Sequence, residues 1–225
     1  MVILYTGTPG SGKSYHATDI VHTATKRKIN VIANFVINLK EKQQPYFYFI
    51  DNKQLTVKNL LAFSKEHHKL DKESQTIIII DEAATIFNTR DDKRKDRNEW
   101  IKFFSQHRKL GFDIILIAQN DRMLDRQVRA NIELHYIHRK LTNFGIKGFI
   151  IRFLLHKNFV CVHQWYTIKE RIGAEYFGIK KRIASSYDTF SLFDYTSKSN
   201  SKGGLISIAE FNKMREDEQL NEQTS

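Results

Sequence analysis

Cysteine is almost missing from this chain, whose 225 residues carry a single one, Cys161. A lone thiol cannot close an internal disulfide and reads as a small core residue. The apolar start Met1-Val2-Ile3-Leu4-Tyr5 has no basic leader or cleavage site ahead of it, so a reducing, cytoplasmic compartment is expected. Zinc-ligand spacing and internal repeats are lacking as well. No apolar run reaches the ~18 to 20 residues of a membrane-spanning helix. The longest apolar neighbourhood, Phe149 to Val162, is broken by Arg152, His156, Lys157 and Asn158. Its Phe, Val and Ile content predicts strands, in a buried hairpin rather than a membrane-surface element. Acidic residues are in deficit: 36 Lys and Arg against 25 Asp and Glu give a formal net charge of +11. That balance favours an anionic partner such as nucleic acid, an acidic lipid surface or a nucleotide, without choosing among them.

What is present suffices for one sizeable core, since a chain of this length buries roughly 70% or more of its unfolded surface. Val2 to Thr6 is a short apolar run that enters a Gly-rich turn, and no helix breaker follows Lys13 until Asn30, which predicts strand, loop, helix. Val31 to Ile37 and Tyr46 to Ile50 read as strands, with a helix through Leu60, Leu61, Phe63 and His67. Thr76-Ile77-Ile78-Ile79-Ile80 is continuously apolar, as a parallel strand covered on both faces would be. Asn88 to Arg97 is charged and reads as a loop. Trp100, Phe103, Phe104 and His107 recur at helical spacing before Gly111, and Asp113 to Ala118 is a further buried strand. Glu133 to Arg139 and Gly148 to Ile168 read as strands of an antiparallel appendage, with turns at Asn143-Phe144-Gly145 and His156-Lys157-Asn158. These readings divide the chain into a core over 1–142, a β-rich appendage packed on it over 143–196, and a flexible polar tail over 197–225.

The pattern G-x-x-x-x-G-K-[ST] is matched in full by Gly7-Thr8-Pro9-Gly10-Ser11-Gly12-Lys13-Ser14, between a strand and a helix, which is the context a P-loop, or Walker A motif, requires. Glycines at 7, 10 and 12 let backbone N–H groups converge on phosphate oxygens. Lys13 is placed to bridge the outer phosphates of ATP, and the Ser14 hydroxyl to ligate Mg2+. Asp81 ends the isoleucine strand, where open α/β sheets bind ligands, and is the second expected Mg2+ ligand, a Walker B carboxylate. Glu82, one peptide further, is placed to polarise the attacking water. Gln119, after the strand ending at Ala118, is a candidate sensor of the γ-phosphate. Arg122, Arg126 and Arg129 follow; each is either a finger reaching a neighbouring subunit or part of a solvated helix face, and Arg129 is the preferred finger.

These residues form a recognisable succession. The Gly7–Ser14 loop, then Ile-Ile-Ile-Ile-Asp81-Glu82-Ala, then Phe103 to Asp113, then Ile-Leu-Ile-Ala-Gln119 with Met123-Leu124-Asp125 and Arg129, resembles the zonula occludens toxin (Zot) family. That family is similar to the filamentous-phage assembly ATPases and to the FtsK–HerA-like DNA-pumping motors. The likeness spans roughly residues 1–190, and the Arg108-Gly111-Asp113-Gln119 succession carries more of it than the phosphate loop does. It implies an α/β P-loop NTPase with a mainly parallel sheet. In that sheet the Asp113–Ala118 strand is inserted between the phosphate-loop strand and the Asp81 strand, the type with an additional catalytic Glu. It also implies the roles given above for Lys13, Ser14, Asp81, Glu82 and Gln119. Phage assembly members usually continue into a membrane-spanning segment and a periplasmic part; no such segment is read here, so an anchor would come from a separate membrane protein.

Two functions follow as expectations. One is an ATP-hydrolysing motor, a homo-oligomer and by resemblance a ring, that packages, extrudes or transfers viral or plasmid DNA without sequence preference. The other is a nucleotide-dependent assembly switch that binds a partner protein or membrane complex without moving DNA. A small-molecule kinase is disfavoured, because Glu82 beside Asp81 activates a water rather than a substrate hydroxyl. The location expected is cytoplasmic, or peripheral at a membrane.

Overall fold

The computed structural model describes residues 1–89, 95–186 and 206–207. Its strands are β1 (Val2–Thr6), β2 (Asn30–Ala33), β3 (Phe47–Phe49), β4 (Thr76–Ile80), β5 (Phe112–Ile117), β6 (Leu134–Lys140), β7 (Phe159–Trp165), β8 (Arg171–Phe177) and β9 (Ile206–Ser207). The helices are α1 (Lys13–Lys26), α2 (Val57–His67), α3 (Arg97–Gln106), α4 (Arg126–Ala130), α5 (Gly145–Leu155) and α6 (Lys181–Ala184). Among the described residues the strands form one sheet in the order β8-β7-β6-β1-β5-β4-β2-β3-β9. Strands β6 through β3 in that order are mutually parallel, while β7, β8 and β9 add antiparallel edges.

Both faces of the central strands are covered, which is why they read as unbroken apolar runs rather than as alternating ones. Ile78 and Ile80 of β4 face one core with Leu60, Phe63, Trp100, Phe103 and Phe104 from α2 and α3. Ile79 faces the other core, with Ala17, Val21 and Ala24 from α1. The same alternation sends Val2, Leu4, Ile114 and Leu116 to the first layer and Tyr5, Ile115 and Ile117 to the second. Trp100 anchors α3, 2% exposed, with its indole N–H donating to Asp96 at 3.0 Å.

Strand β5 lies between β1 and β4, pairing Leu4 with Leu116 on one side and Ile80 with Leu116 on the other. This is the inserted-strand order that the family resemblance implies. It brings the ends of three parallel strands, at Thr6, Ile80 and Ile117, to one edge of the sheet.

The reading of Gly148–Ile168 as strands is corrected in its first half. Residues 145–155 are helix α5, followed by a turn at His156 (φ 51°) and then by β7. The Phe149–Val162 neighbourhood is therefore a helix and a strand, and only the strand part is buried. The Phe and Ile content favoured a strand, but Gly148 can sit closer to the Leu141 carbonyl than any residue with a Cβ, which seats a helix over the preceding turn. No described helix is long and apolar enough to cross a membrane. Of the tail expected over 197–225, all but Ile206 and Ser207 lie outside the described residues, as does most of the charged loop before Arg97. Ile206 and Ser207 pair with Phe49 and Tyr48.

Candidate active site

The turn after β1 has the backbone that a phosphate cradle needs. Gly7, Gly10 and Gly12 take φ of 147°, 70° and 92°. A Cβ at Gly7 would run into the His138 carbonyl oxygen, and one at Gly12 would press on the Phe159 ring at 3.0 Å, so close approach as well as φ requires glycine there. Gly12 caps α1, whose first internal bond runs from the His16 N–H to the Gly12 carbonyl at 2.9 Å. The N–H groups of the first turn accordingly have no partner within the helix and, with its dipole, favour an anion. Ser11 Oγ is buried in the same loop without a hydrogen-bond partner, a donor that a phosphate oxygen would satisfy.

Lys13 Nζ donates to the carbonyls of Gly7 at 2.7 Å and Thr8 at 3.2 Å, which arches the side chain back over the loop. Burial draws this ammonium below the usual lysine range, against the opposing pull of the Asp81 and Glu82 carboxylates. A lysine and two acids from separate stretches of the sequence thus share one electrostatic site. Ser14 Oγ donates to Asp81 Oδ2 at 2.9 Å, joining α1 to the end of β4. Two adjacent ligands of an octahedral Mg2+ at ~2.0–2.1 Å are themselves about 2.9 Å apart, so these two hard oxygens fit that ion.

The chain turns sharply after Asp81. Glu82 adopts φ 49° and ψ 43°, a left-handed conformation uncommon outside glycine and asparagine. It is held there from both sides. Its N–H donates to Asp81 Oδ1 at 2.8 Å, and its carbonyl accepts from the Thr85 N–H at 2.8 Å and the Thr85 hydroxyl at 2.9 Å. The Glu82 side chain is left exposed at the same edge. Gln119 is also exposed, and its carbonyl accepts from the Gly7 N–H at 3.4 Å, so it stands at the mouth of the loop just past the end of β5, the strand beside β4.

Two contributors were not foreseen in the sequence. Asn34, 5% exposed at the end of β2, holds the backbone of Asp81 and also donates to Asn52 Oδ1 at 2.8 Å. Its signal was a polar interruption in the apolar run from Val31 to Ile37. His138 backs Gly7 and pairs with His16, whose Nδ1 lies 2.9 Å from His138 Nε2. Burial depresses His138 to about 3, and it pushes the neighbouring Cys161 thiol upward. The rings are therefore neutral and the thiol protonated. A spacing of 2.9 Å between ring nitrogens is a hydrogen bond, shorter than the ~3.3 Å separating two ligands of a tetrahedral zinc.

Arg129 is not gathered with the rest. The Arg129 carbonyl accepts from Ile132, and the next residue, Glu133, bonds the Val2 carbonyl at 3.0 Å. The end of α4 therefore lies at the edge where β1 begins, opposite the loop. Arg129 hydrogen-bonds Tyr166 in its own chain, while its buried Nε has no partner. Arg122 and Arg126 are exposed. Arg97 is paired with Asp125 at 3.0 Å and Lys180 with Asp19 at 3.5 Å, which leaves each less available to an outside anion.

Comparison with known proteins agrees with this geometry. The chain is 28% identical over 144 residues to the Gene 1 protein of Enterobacteria phage fd, covering 61% of this chain and 41% of the phage protein. It is 26% identical over 152 residues to the Gene 1 protein of Salmonella phage IKe, covering 64% and 42%. It thus spans about two-fifths of the length of these relatives. In fold it is similar to the N-terminal domain of zonular occludens toxin from Neisseria meningitidis, with a TM-score of 0.54, 18% identity, and coverage of 83% of this chain and 98% of that one. It is also similar to the genome packaging NTPase B204 of Sulfolobus turreted icosahedral virus 2, in complex with ATP-gammaS, with a TM-score of 0.52, 18% identity, and coverage of 80% and 98%. The family model described as Zonular occludens toxin (Zot) matches residues 1–198, and the chain belongs to that family.

Proposed function

We propose that the protein is a Mg2+-dependent ATPase that drives the movement of DNA in virion assembly or transfer. The observation that carries this reading is the 2.9 Å contact of Ser14 Oγ with Asp81 Oδ2, which closes the loop of one strand onto the acid of another, with Glu82 and Gln119 at its rim. The backbone of Gly7 to Ser14 receives the phosphates, and Lys13 spreads its charge over the outer ones. Ser14 and Asp81 would hold Mg2+, which when bound would supply positive charge to the phosphates. The Glu82 carboxylate takes a proton from water as the water oxygen bonds to the γ-phosphorus and the bond to the ADP oxygen breaks. The Gln119 amide orients that water or the γ-phosphate. A neighbouring subunit of a homo-oligomer supplies Arg129 or Arg126 to the developing charge. Glu82 beside Asp81 is placed to activate a water rather than a substrate hydroxyl, which favours water as acceptor.

The DNA reading is supported by the net charge of +11 and by the genome-packaging role named for the structural neighbour B204. ATP turnover of the purified chain, measured with and without single- and double-stranded DNA, tests it. DNA should stimulate turnover. Binding should be independent of sequence, and contacts to about six phosphates would lower affinity on the order of a thousandfold between ~50 and ~200 mM salt. Turnover indifferent to both DNA forms would replace the motor with a nucleotide-dependent assembly switch.

A further inference from the structure

Helix α5 turns its apolar side outward. Ile146, Phe149, Ile150, Phe153 and Leu154 recur at i, i+3, i+4, i+7 and i+8, the spacing that normally faces a core. They are 82%, 63%, 50%, 73% and 69% exposed. The other side of the helix meets the protein: Gly148 is buried under Leu141 and Ile151 is half-buried. Helices α1, α2 and α3 send their large apolar residues into the sheet instead. A contiguous apolar surface of this kind marks an interaction site.

The charge around it selects the occupant. Between Glu133 and Glu170 the sequence has no Asp or Glu, while Arg139, Lys140, Lys147, Arg152, Lys157 and Lys169 fall within it. Arg139, Lys140 and Arg152 are exposed. Arg152 and Lys157 line an open groove with Phe149, Phe153 and His156 at the end of the helix. Two copies meeting through this face would set these cations against themselves. A nucleic acid would leave the aliphatic Ile146, Ile150 and Leu154 without a base to cover them. Apolar side chains on one helical face, with cations and no Asp or Glu in the sequence on either side of it, fit the boundary of an anionic bilayer, where the apolar face enters the acyl region and the cations meet phosphate headgroups.

We propose that α5 is a membrane-docking helix that lies in the surface of an anionic phospholipid bilayer. Its span over Gly145–Leu155 is about half the length needed to cross, so it lies flat. It also orients the ATPase. Strand β6 runs parallel to β1, with Thr6 opposite Ile137, so α5 leaves the sheet at the same edge as the Gly7–Ser14 loop. Lys140 Nζ lies 3.9 Å from where a Gly10 Cβ would be. Docking through α5 turns the nucleotide edge toward the membrane.

The test is co-sedimentation of the full chain with vesicles of phosphatidylcholine alone or mixed with phosphatidylglycerol. Wild type should bind the mixed vesicles about tenfold or more tightly than the neutral ones. Phe149→Ser combined with Phe153→Ser should lose about tenfold or more of that binding while still binding a fluorescent ATP analogue, which reports an intact loop. Ile146→Ser, at the most exposed position, gives an independent reading should the double variant misfold. Arg152→Glu should weaken binding to the mixed vesicles only. No binding to mixed vesicles, or equal binding by wild type and the apolar variants, overturns the proposal. So does a double variant that binds vesicles normally but loses self-association or single-stranded DNA binding, which would assign the face to a second copy or to nucleic acid.

Discussion

The side-chain amide of Asn34 pairs with both backbone polar groups of Asp81: Nδ2 donates to the Asp81 carbonyl at 2.9 Å, and Oδ1 accepts from the Asp81 N–H at 2.7 Å. Strand pairing between β2 and β4 ends at Ala33 and Ile79. Asn34 thus continues the ladder with a side chain after the backbone ladder has stopped. That clamp fixes where the Asp81 carboxylate starts from, and the strained turn at Glu82 is built directly on it.

Asn34→Ala leaves the Asp81 N–H and carbonyl without this partner and should lower stability by about 1–3 kcal/mol. The Mg2+ concentration for half-maximal ATP turnover should rise, with nucleotide binding in the absence of metal little changed. Urea unfolding and a Mg2+ titration of turnover check both. Wild-type behaviour in both would reduce the clamp to an incidental contact.

Lys13→Ala should weaken nucleotide binding and abolish turnover, since the ammonium that lies over the loop is lost. Glu82→Gln should bind ATP normally and hydrolyse it roughly 10²- to 10⁴-fold more slowly, because the carboxylate is needed only when water attacks. Single-turnover hydrolysis at saturating ATP separates the two. A wild-type rate for Glu82→Gln would remove Glu82 as the base.

Arg129 bonds Tyr166 in its own chain, so the proposed finger role would require its delivery to a neighbour's site. An arginine delivered in trans contributes ~10³- to 10⁵-fold to turnover. Specific activity should therefore rise with protein concentration. Glu82→Gln mixed with Arg129→Ala, or with Arg126→Ala, should recover activity once labelled subunits are seen to exchange. Concentration-independent turnover without recovery would leave both arginines as surface charge.

Acid should destabilise the fold before its carboxylates protonate. Burial holds His138 near 3 and His135 near 4, below the value of about 6.5 for an unfolded histidine. Depressed values mean that the unfolded chain takes up protons first. Their stabilisation is complete above about pH 6.5 and is lost as pH falls toward the folded values, by roughly 2 kcal/mol per histidine at pH 5. Melting temperatures across pH 5 to 7 should show this fall. His135→Gln, able to keep a bond to the Thr6 hydroxyl, should flatten it. An unchanged slope would assign the acid sensitivity to other groups.

The phosphate loop, the isoleucine strand with its two acids and the order of the central elements were legible because each is local. A glycine pattern, a buried apolar run and a polar residue at its end all lie within a few residues of chain. Helix α5 was equally local and was still misread. Its helical spacing competed with the strand preference of Phe and Ile, and apolar residues were assumed to face inward.

By itself the sequence determined the chemistry at hand: a loop able to surround phosphate, Ser14 and Asp81 as hard oxygens, and Glu82 next to Asp81. Only the tertiary structure decided how these meet. Parallel pairing of β1, β5 and β4 carries Thr6, Ile117 and Ile80 to one edge, which closes a gap of 67 residues between Ser14 and Asp81 to a 2.9 Å hydrogen bond. The same pairing placed Asn34 on Asp81, set Arg129 at the far edge, and left the apolar side of α5 in solvent. Each of these depends on which strand lies beside which and which face a neighbour covers. Those relations are between distant segments, and local residue preferences do not encode them.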